Sequence, residues 1–372
     1  MTEYPKPLKY PRRVFIRALL QNIGRLLVSL LFNVKVTGKE KFPTRGPVIV
    51  VGNHSAIMET VLLICYAPWQ IEMLGAADIP HEKVSQIFSD LFGFIPVNRG
   101  HVDRPALRSA LGILDQHGVL GIFPEGGIWE PGLMRAQTGV AWLSYRGNAP
   151  VIPIGFSGTL GAIDKALKLR RPKLVMKIGD TIPPLNMKTG IPRKTLFEDY
   201  SEYVMVKVRD LLLPDEPSIQ EKIKDERFEL KYSAWDGDRQ VRIPNDLSIK
   251  NGGALAKFLH RPAILKIFRS NLKFPIEPLE RINSENDPNA IAVSLKYILN
   301  YLEDENPYLL TYRFGPKTGE EMKLGLKELL ALSNWGIQRN ISLKFTPIRR
   351  FYSLENGKEI VQTKQGYFAH WM

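Results

Sequence analysis

The middle of the chain alternates short apolar runs with longer stretches of helical spacing, and this alternation constrains the fold more than any other feature. Strands that alternate with helices pair in parallel, and the helices cover both faces of the sheet. The expected strands are Pro47–Val51, Phe94–Val97, Val119–Phe123, Val151–Ile154 and Leu174–Ile178. The expected helices lie near Ala56–Tyr66, Glu82–Phe92, Pro105–Gln116, Arg135–Tyr145, Gly161–Leu169 and Leu196–Leu213. We therefore predict an α/β fold with a mostly parallel central sheet flanked by helices.

The alternation of strands and helices ends at Pro214–Pro217, a polar segment flanked by prolines that is typical of a domain boundary. We therefore divide the chain into three segments. Residues 1–34 are an N-terminal amphipathic segment, residues 35–214 are the α/β domain, and residues 215–372 are an accessory domain without assigned chemistry. The last is predicted to be mainly helical and to end in a β-hairpin. Its expected helices are Ala254–His260, Ala290–Leu302 and Glu320–Ser333, and its hairpin runs from Ile341–Phe345 or Arg350–Leu354 through Asn356-Gly357 into Glu359–Thr363.

The N-terminus is strongly basic and carries an interrupted apolar stretch. Residues 1–53 hold ten basic and two acidic residues, within a chain of net charge +13. Arg17, Gln21, Asn22 and Arg25 break the apolar run from Val14 to Phe32, which leaves it short of the roughly 18 apolar residues expected of a spanning helix. We expect an interfacial helix whose arginines meet anionic lipid and whose apolar side enters the bilayer. The alternatives are an ordinary helix packed on the core and a helix that covers an apolar tunnel.

Cys65 is the single cysteine, so no internal disulfide can form and a reducing compartment is expected. It lies in an apolar helix and is predicted to be a core residue. The sequence has no zinc-type spacing of histidines or cysteines and no phosphate-binding loop, so we expect neither a metal nor a cofactor.

A histidine follows the first strand of the alternating region, at the edge where parallel α/β sheets place their sites. His54 comes just after Gly52, and Glu59 lies five residues further along. A carboxylate there can fold back onto the imidazole Nδ1 and leave Nε2 available to take a proton from a hydroxyl. The pair therefore indicates a catalytic base and its orienting acid, with a helix cap or a core contact as the alternative.

Three further strand ends carry polar or glycine-rich blocks. Asn98 and Arg99 end one of them, and a guanidinium suits a phosphate. Glu125 and Gly126 follow another, where glycine lets the backbone approach a ligand. Pro153 marks the fourth block, in Val151–Phe156.

Together, in this order and spacing, the four blocks resemble the glycerolipid acyltransferase family typified by PlsC-like 1-acylglycerol-3-phosphate acyltransferases, over roughly residues 35–185. The resemblance implies acyl transfer from a thioester to a lipid hydroxyl. It assigns His54 as catalytic histidine, with Glu59 where the family usually has aspartate. The residues implied in substrate binding are Asn98, Arg99, Glu125, Gly126, Gly127, Arg135 and Pro153. The chain departs from the family again after Glu125-Gly126, where Gly127 and Ile128 stand in place of threonine and arginine.

The resemblance implies direct attack, with His54 as general base, on acyl-coenzyme A or an acyl carrier protein thioester as co-substrate. The expected partners are an anionic bilayer, a lysophospholipid acceptor and, if it is the donor, acyl carrier protein. The expected location is peripheral, on the cytoplasmic side of the membrane. Nucleic acid is not expected, although the basic Arg349-Arg350 lies in the predicted hairpin. The alternative is an inactive lipid-binding or scaffolding protein on the same fold.

Overall fold

The computed structural model describes residues 8–79, 83–126, 136–187, 190–214, 223–281, 287–354 and 357–363. The chain forms two compact units. The first comprises residues 1–77, 83–98 and 102–220, and the second comprises 78–82, 99–101 and 221–372. The roles predicted for the three sequence segments stay predictions.

The first unit is built on a seven-stranded sheet of order β1-β7-β6-β2-β5-β3-β4. Its strands are β1 Asn33–Thr37, β2 Val48–Gly52, β3 Ile71–Ala76, β4 Ile95–Val97, β5 Val119–Ile122, β6 Val151–Ser157 and β7 Lys173–Ile178. The five strands from β6 to β4 run parallel. β7 pairs antiparallel with β6, and β1 pairs parallel with β7. The predicted mostly parallel α/β fold is thus confirmed.

Helices cover both faces of this sheet. They are α1 Val14–Leu31, α2 Met58–Tyr66, α3 Lys83–Phe92, α4 Arg104–Asp115, α5 Gly139–Arg146, α6 Ala162–Leu167 and α7 Arg193–Arg209, with a short 3-10 turn at Lys39–Lys41. Alternate residues of β2 supply the two cores: Val48 and Val50 face one, and Ile49 and Val51 the other. All five predicted strands form, but β1 and β3 were not predicted. The helix expected from Arg135 begins at Gly139 among the described residues, and Arg135 itself lies outside them.

Three polar residues of α1 bind the protein itself, and the prediction that Arg17 meets lipid is wrong because its side chain is buried. Arg25 is exposed, and its role toward lipid stays a prediction. Arg17 is buried, and its guanidinium donates to both oxygens of Glu72 in β3, at 2.6 and 2.9 Å. Gln21 donates to the carbonyl of Ile64, and Arg25 to that of Cys65. The reason Arg17 turns inward is Glu72, because a buried carboxylate requires cationic partners; α1 supplies Arg17, and Arg12 precedes the helix.

The apolar residues of α1 face outward instead. Only Arg17 and Val28 of this helix are buried. Its exposed large apolar residues are Val14, Phe15, Ile16, Leu19, Ile23, Leu26, Leu27, Leu30 and Leu31. Within the described ranges, Val14–Leu31 is the one helix long and apolar enough to cross a membrane, judged by length and composition alone.

The second unit combines helices with a four-stranded antiparallel sheet of order β11-β10-β8-β9. Its strands are β8 Ile223–Asp236, β9 Arg239–Val241, β10 Ser342–Ser353 and β11 Lys358–Thr363. Its helices are α8 Gly252–Leu259, α9 Pro262–Lys266, α10 Glu277–Glu280, α11 Pro288–Asn300, α12 Leu309–Phe314 and α13 Pro316–Arg339, with π-helical turns at Ile267–Asn271 and Tyr301–Glu305 and a 3-10 turn at Asn245–Leu247.

The predicted helices and the hairpin of the second unit are confirmed, whereas β8 and β9 were not predicted. β10 is one continuous strand that overlaps both alternatives given for the first arm of the hairpin, and its part from Ile348 to Ser353 pairs with β11. The arm is therefore the second alternative, whereas residues 342–345 pair with β8. Asn356 of the predicted turn lies outside the described residues. Arg349 is buried and its Nε donates to Glu226 at 2.7 Å, so it does not contribute to a solvent-facing basic patch.

Candidate active site

His54 lies just beyond the carboxyl end of β2, against the ring of Phe123. The two rings stack with centroids 4.2 Å apart and planes 12° from parallel. Gly52, the last residue of β2, makes room for this arrangement, because a Cβ there would lie 2.6 Å from Phe156 and 3.3 Å from Phe123. A glycine is therefore required where the strand delivers the histidine.

Asn53 ties the same strand end to β6. Its side chain is buried, accepts the backbone N–H of Phe156 at 2.8 Å and donates to the Phe156 carbonyl at 3.0 Å. Sequence reasoning missed this residue. The available signal was an amide directly between a strand end and a candidate catalytic histidine.

Glu59 is fully buried in the first turn of α2, close to His54. Its Oε2 lies 3.6 Å from His54 Nδ1, too long for a hydrogen bond. The carboxylate accepts the backbone N–H groups of Ala56 at 2.9 Å and Ser55 at 3.3 Å, and the hydroxyl of Thr159. His54 Nδ1 is buried and has no hydrogen-bond partner among the residues that the structure describes. The structure thus brings the predicted pair together, and Thr159 is a partner that sequence reasoning missed.

Glu125, from the turn after β5, holds the backbone of His54. Its Oε1 accepts the His54 N–H at 2.9 Å. Burial raises the pKa of the Glu125 carboxyl to about 7; the His54 N–H lowers it, Glu59 raises it and Arg209 lowers it by smaller amounts. Gly126 adopts a left-handed φ of 71° and donates to the Phe123 carbonyl at 3.0 Å, which closes the turn. Their predicted role in substrate binding stays a prediction.

Asn98 and Arg99, predicted to bind the acceptor phosphate, have carboxylate partners in different units. In the first unit, Asn98 donates its backbone N–H and side-chain amide to Asp103, at 2.8 and 3.2 Å. In the second, Arg99 donates twice to Asp78, at 2.6 and 2.9 Å, and its guanidinium lies over the Tyr312 ring. Their role toward a phosphate stays a prediction.

Pro153 lies inside β6 rather than at its end. It is buried, in register with Val51 of β2, and its carbonyl accepts the N–H of Gly179 at 2.8 Å. The strand continues four residues beyond it, so the predicted strand end at Ile154 is wrong. Gly127 and Arg135 lie outside the described residues.

Cys65 is buried in α2, as predicted. Burial raises the pKa of its thiol to about 11, against a smaller opposing effect of Arg25. A thiol held in this form is a poor nucleophile. Across the described ranges, no three histidine, cysteine, aspartate or glutamate side chains form a group that could hold a metal ion.

The fold and the site define an α/β protein with a histidine and a buried carboxylate at the carboxyl edge of its sheet. Residues 33–157 match the family profile described as Acyltransferase. The first unit therefore carries a domain of the PlsC-like acyltransferase family, and the protein is an O-acyltransferase.

Two relatives show the extent of the similarity. The chain is 22% identical over 191 residues to the 1-acyl-sn-glycerol-3-phosphate acyltransferase of Bacillus subtilis (strain 168), across 51% of this chain and 94% of the relative. It is also similar to the crystal structure of the 1-acyl-sn-glycerophosphate (LPA) acyltransferase, PlsC, from Thermotoga maritima. That match has 21% identity and a TM-score of 0.40, and covers 55% of this chain and 83% of the other.

Proposed function

We propose that the protein transfers a fatty acyl group from an acyl thioester to a hydroxyl of a lysophospholipid, lysophosphatidate or a related glycerolipid, with His54 as general base. The observation that carries the proposal is the placement of His54 Nδ1 3.6 Å from the buried carboxylate of Glu59. The name of the Bacillus subtilis relative supports a glycerolipid acceptor.

The surroundings of His54 suit proton transfer through its other ring nitrogen. Nδ1 is buried beside Glu59, and the 16% of the side chain that remains exposed lies away from that atom. Stacking on Phe123 fixes the plane of the ring, and the bond from the His54 N–H to Glu125 fixes its backbone. A long contact between base and acid commonly shortens once substrate is bound. These contacts support the proposal of His54 as the base.

The proposed reaction is a direct transfer. His54 Nε2 takes the proton of the acceptor hydroxyl while that oxygen bonds to the thioester carbonyl carbon. The carbon–sulfur bond then breaks, and the proton leaves with the thiol. Glu59 stabilises the imidazolium formed in between, because an opposite charge nearby favours the protonated ring. No resident cofactor or metal is needed, and the thioester of coenzyme A or of acyl carrier protein is the co-substrate.

The outward face of α1 supports a peripheral position on a membrane, which we propose is the anionic cytoplasmic surface. A contiguous exposed patch of large apolar residues, such as the nine on α1, marks a membrane or protein contact. Arg17, Gln21 and Arg25 bind groups of the same unit along the length of the helix. A spanning orientation would draw those partners into the bilayer, so we propose that α1 lies in the plane of the interface.

The first experiment is an acyl-transfer assay by mass spectrometry, with acyl-coenzyme A or acyl carrier protein thioesters and a panel of lysophospholipids. We expect a product that disappears in His54→Ala and persists in His117→Gly, a matched change of an exposed histidine in a turn. Equal product from His54→Ala and wild type would refute the base. Absence of product from every donor and acceptor would favour the inactive lipid-binding alternative.

The proposed membrane contact of α1 is tested by substitution rather than truncation, because removing α1 would also remove Arg17, the partner of the buried Glu72. We expect Leu26→Ser with Leu30→Ser to weaken binding to anionic vesicles, since both side chains are exposed on α1. Unchanged vesicle binding would refute the proposed role of α1 without bearing on His54.

A further inference from the structure

Helix α6 and the turn that follows it expose large apolar side chains. We call residues 163–170 the α6 tip. Leu167 is 78% and Leu169 88% exposed, while the inward positions of the helix are the small residues Ala162 and Ala166. A helix of a soluble protein normally shows the opposite arrangement, with its large apolar residues inward.

Leu169 also has a backbone conformation that favours glycine. Its φ is 57°, in the left-handed region. The N–H of Arg170 donates to the Lys165 carbonyl at 2.9 Å, and that of Leu169 to the Ala166 carbonyl at 2.8 Å. This pair of bonds is a Schellman motif, in which glycine is the usual residue at the position of Leu169. A leucine here serves neither the backbone nor the core, which points to a role for its side chain outside the unit.

The charge around the tip is strongly positive. Residues 162–173 contain five basic residues and one acidic residue, Asp164. Among them, Lys165, Lys168 and Arg170 are exposed beside the two leucines. Exposed leucines ringed by cations match a surface that is apolar inside and anionic at its boundary.

The tip is continuous with the apolar face of α1. A cavity of about 250 Å³ is walled by apolar residues of α1, α2 and α6, among them Leu27, Leu31, Ile163 and Leu167, which are themselves exposed. Arg171 donates to the Ser29 carbonyl of α1 at 2.8 Å. The two helices therefore present one apolar surface within the first unit.

We propose that the α6 tip is a second membrane-contacting segment, in which Leu167 and Leu169 insert into an anionic bilayer while Lys165, Lys168 and Arg170 bind its headgroups. The inference rests on the proposed function, which places the enzyme at a lipid surface, and it deepens that function by naming a contact separate from α1. Charge complementarity and continuity with α1 favour the bilayer over a second copy of the chain.

The test is Leu169→Gly in the full chain, because glycine relieves the backbone conformation and removes the apolar side chain at once. We expect binding to phosphatidylcholine–phosphatidylglycerol vesicles to fall about tenfold, the effect of losing one buried leucine. The thermal unfolding midpoint should not fall. His117→Gly is the matched control, since His117 has a φ of 55° in the same motif at the end of α4. It should leave vesicle binding unchanged.

A second variant tests the charge. Lys168→Ser with Arg170→Ser should reduce the preference for anionic over pure phosphatidylcholine vesicles by roughly fivefold per charge. Unchanged vesicle binding by Leu169→Gly would overturn the proposal. So would a wild-type dimer that Leu169→Gly dissociates while vesicle binding persists, because the tip would then bind a second copy.

These outcomes are separate from failure of the proposed function. Acyl transfer to detergent-dispersed acceptor reports on His54 without a bilayer, and we expect Leu169→Gly to leave it unchanged. The Leu26→Ser with Leu30→Ser variant reports on α1 alone. If only one of the two variants loses vesicle binding, the membrane contact is assigned to the segment that carries its substitutions, α1 or the α6 tip.

Discussion

Replacing Thr159 with valine should slow acyl transfer by removing one hydroxyl from the support of Glu59. Thr159 is buried in the turn after β6, and its hydroxyl donates to Glu59 Oε1, while Oε2 faces His54. Valine nearly preserves the shape of the side chain but cannot donate. The carboxylate keeps the N–H groups of Ser55 and Ala56, so we expect it to reorient and remain bound.

The magnitude follows from the bond that is lost. A hydrogen bond to a charged group contributes about 1.5–3 kcal/mol. If that free energy is lost from the proposed transition state, in which His54 carries the proton of the acceptor, kcat falls about tenfold to about a hundredfold. KM should change little, because Thr159 acts through Glu59. If the hydrogen bond between Thr159 and Glu59 stabilises only the fold, its loss would instead lower the free energy of unfolding by about 1.5–3 kcal/mol and leave kcat unchanged.

The assay measures kcat and KM for wild type, Thr159→Val and Thr159→Ser, with urea unfolding of each. Serine retains the hydroxyl and should restore most of the rate. A valine variant with the kcat of wild type, or a serine variant as slow as valine, would refute the reasoning.

Three further predictions concern buried ionisable groups. Arg17→Met leaves Glu72 with Arg12 as its remaining cation and should lower the free energy of unfolding by about 3–5 kcal/mol in urea, with most of the loss recovered when Glu72→Leu is added; an additive double variant would contradict this. Because the pKa of Glu125 is raised from 4.5 to about 7, the folded state binds more protons than the unfolded state between those values. The free energy of unfolding of the wild type should therefore fall by up to about 3 kcal/mol as the pH rises through that range, and Glu125→Gln should remove this dependence in urea titrations. The same pH dependence in both proteins would disprove the prediction. Cys65, buried with a pKa of about 11, should react with a thiol reagent at pH 8 only as fast as the protein unfolds, and rapid labelling of the folded protein would contradict its burial.

The sequence predicted the parts of the fold that have a local signal. β2, β5 and β6 are buried apolar runs that end at turn residues, and they were placed within a few residues. β3 was missed because Glu72 interrupts its apolar pattern. The carboxylate is buried with its charge paired by Arg17, 55 residues earlier in the chain, and by Arg12. β8 was missed because it is rich in charged residues, and its pairing with β10 spans more than a hundred residues.

The same distinction holds for the site. His54 and Glu59 are five residues apart, so their proximity follows from the start of a helix. The supporting contacts of Asn53 with Phe156 and of Thr159 with Glu59 join residues about a hundred positions apart, and no spacing rule reports them. The inward position of Arg17 was missed for the same reason, since Glu72, the carboxylate that binds it, lies in another element.

The two sides of α1 are under separate constraints, and this affects how such an enzyme can evolve. The inward side is tied to the fold through Arg17, whose replacement breaks a buried ion pair. The outward side carries residues such as Phe15 and Leu30, which contact little of the protein. With the membrane role that we propose for α1, substitutions there would change attachment to a membrane while the catalytic domain keeps its stability. On that proposal, adaptation to a bilayer of different composition can proceed by substitutions on one helical face.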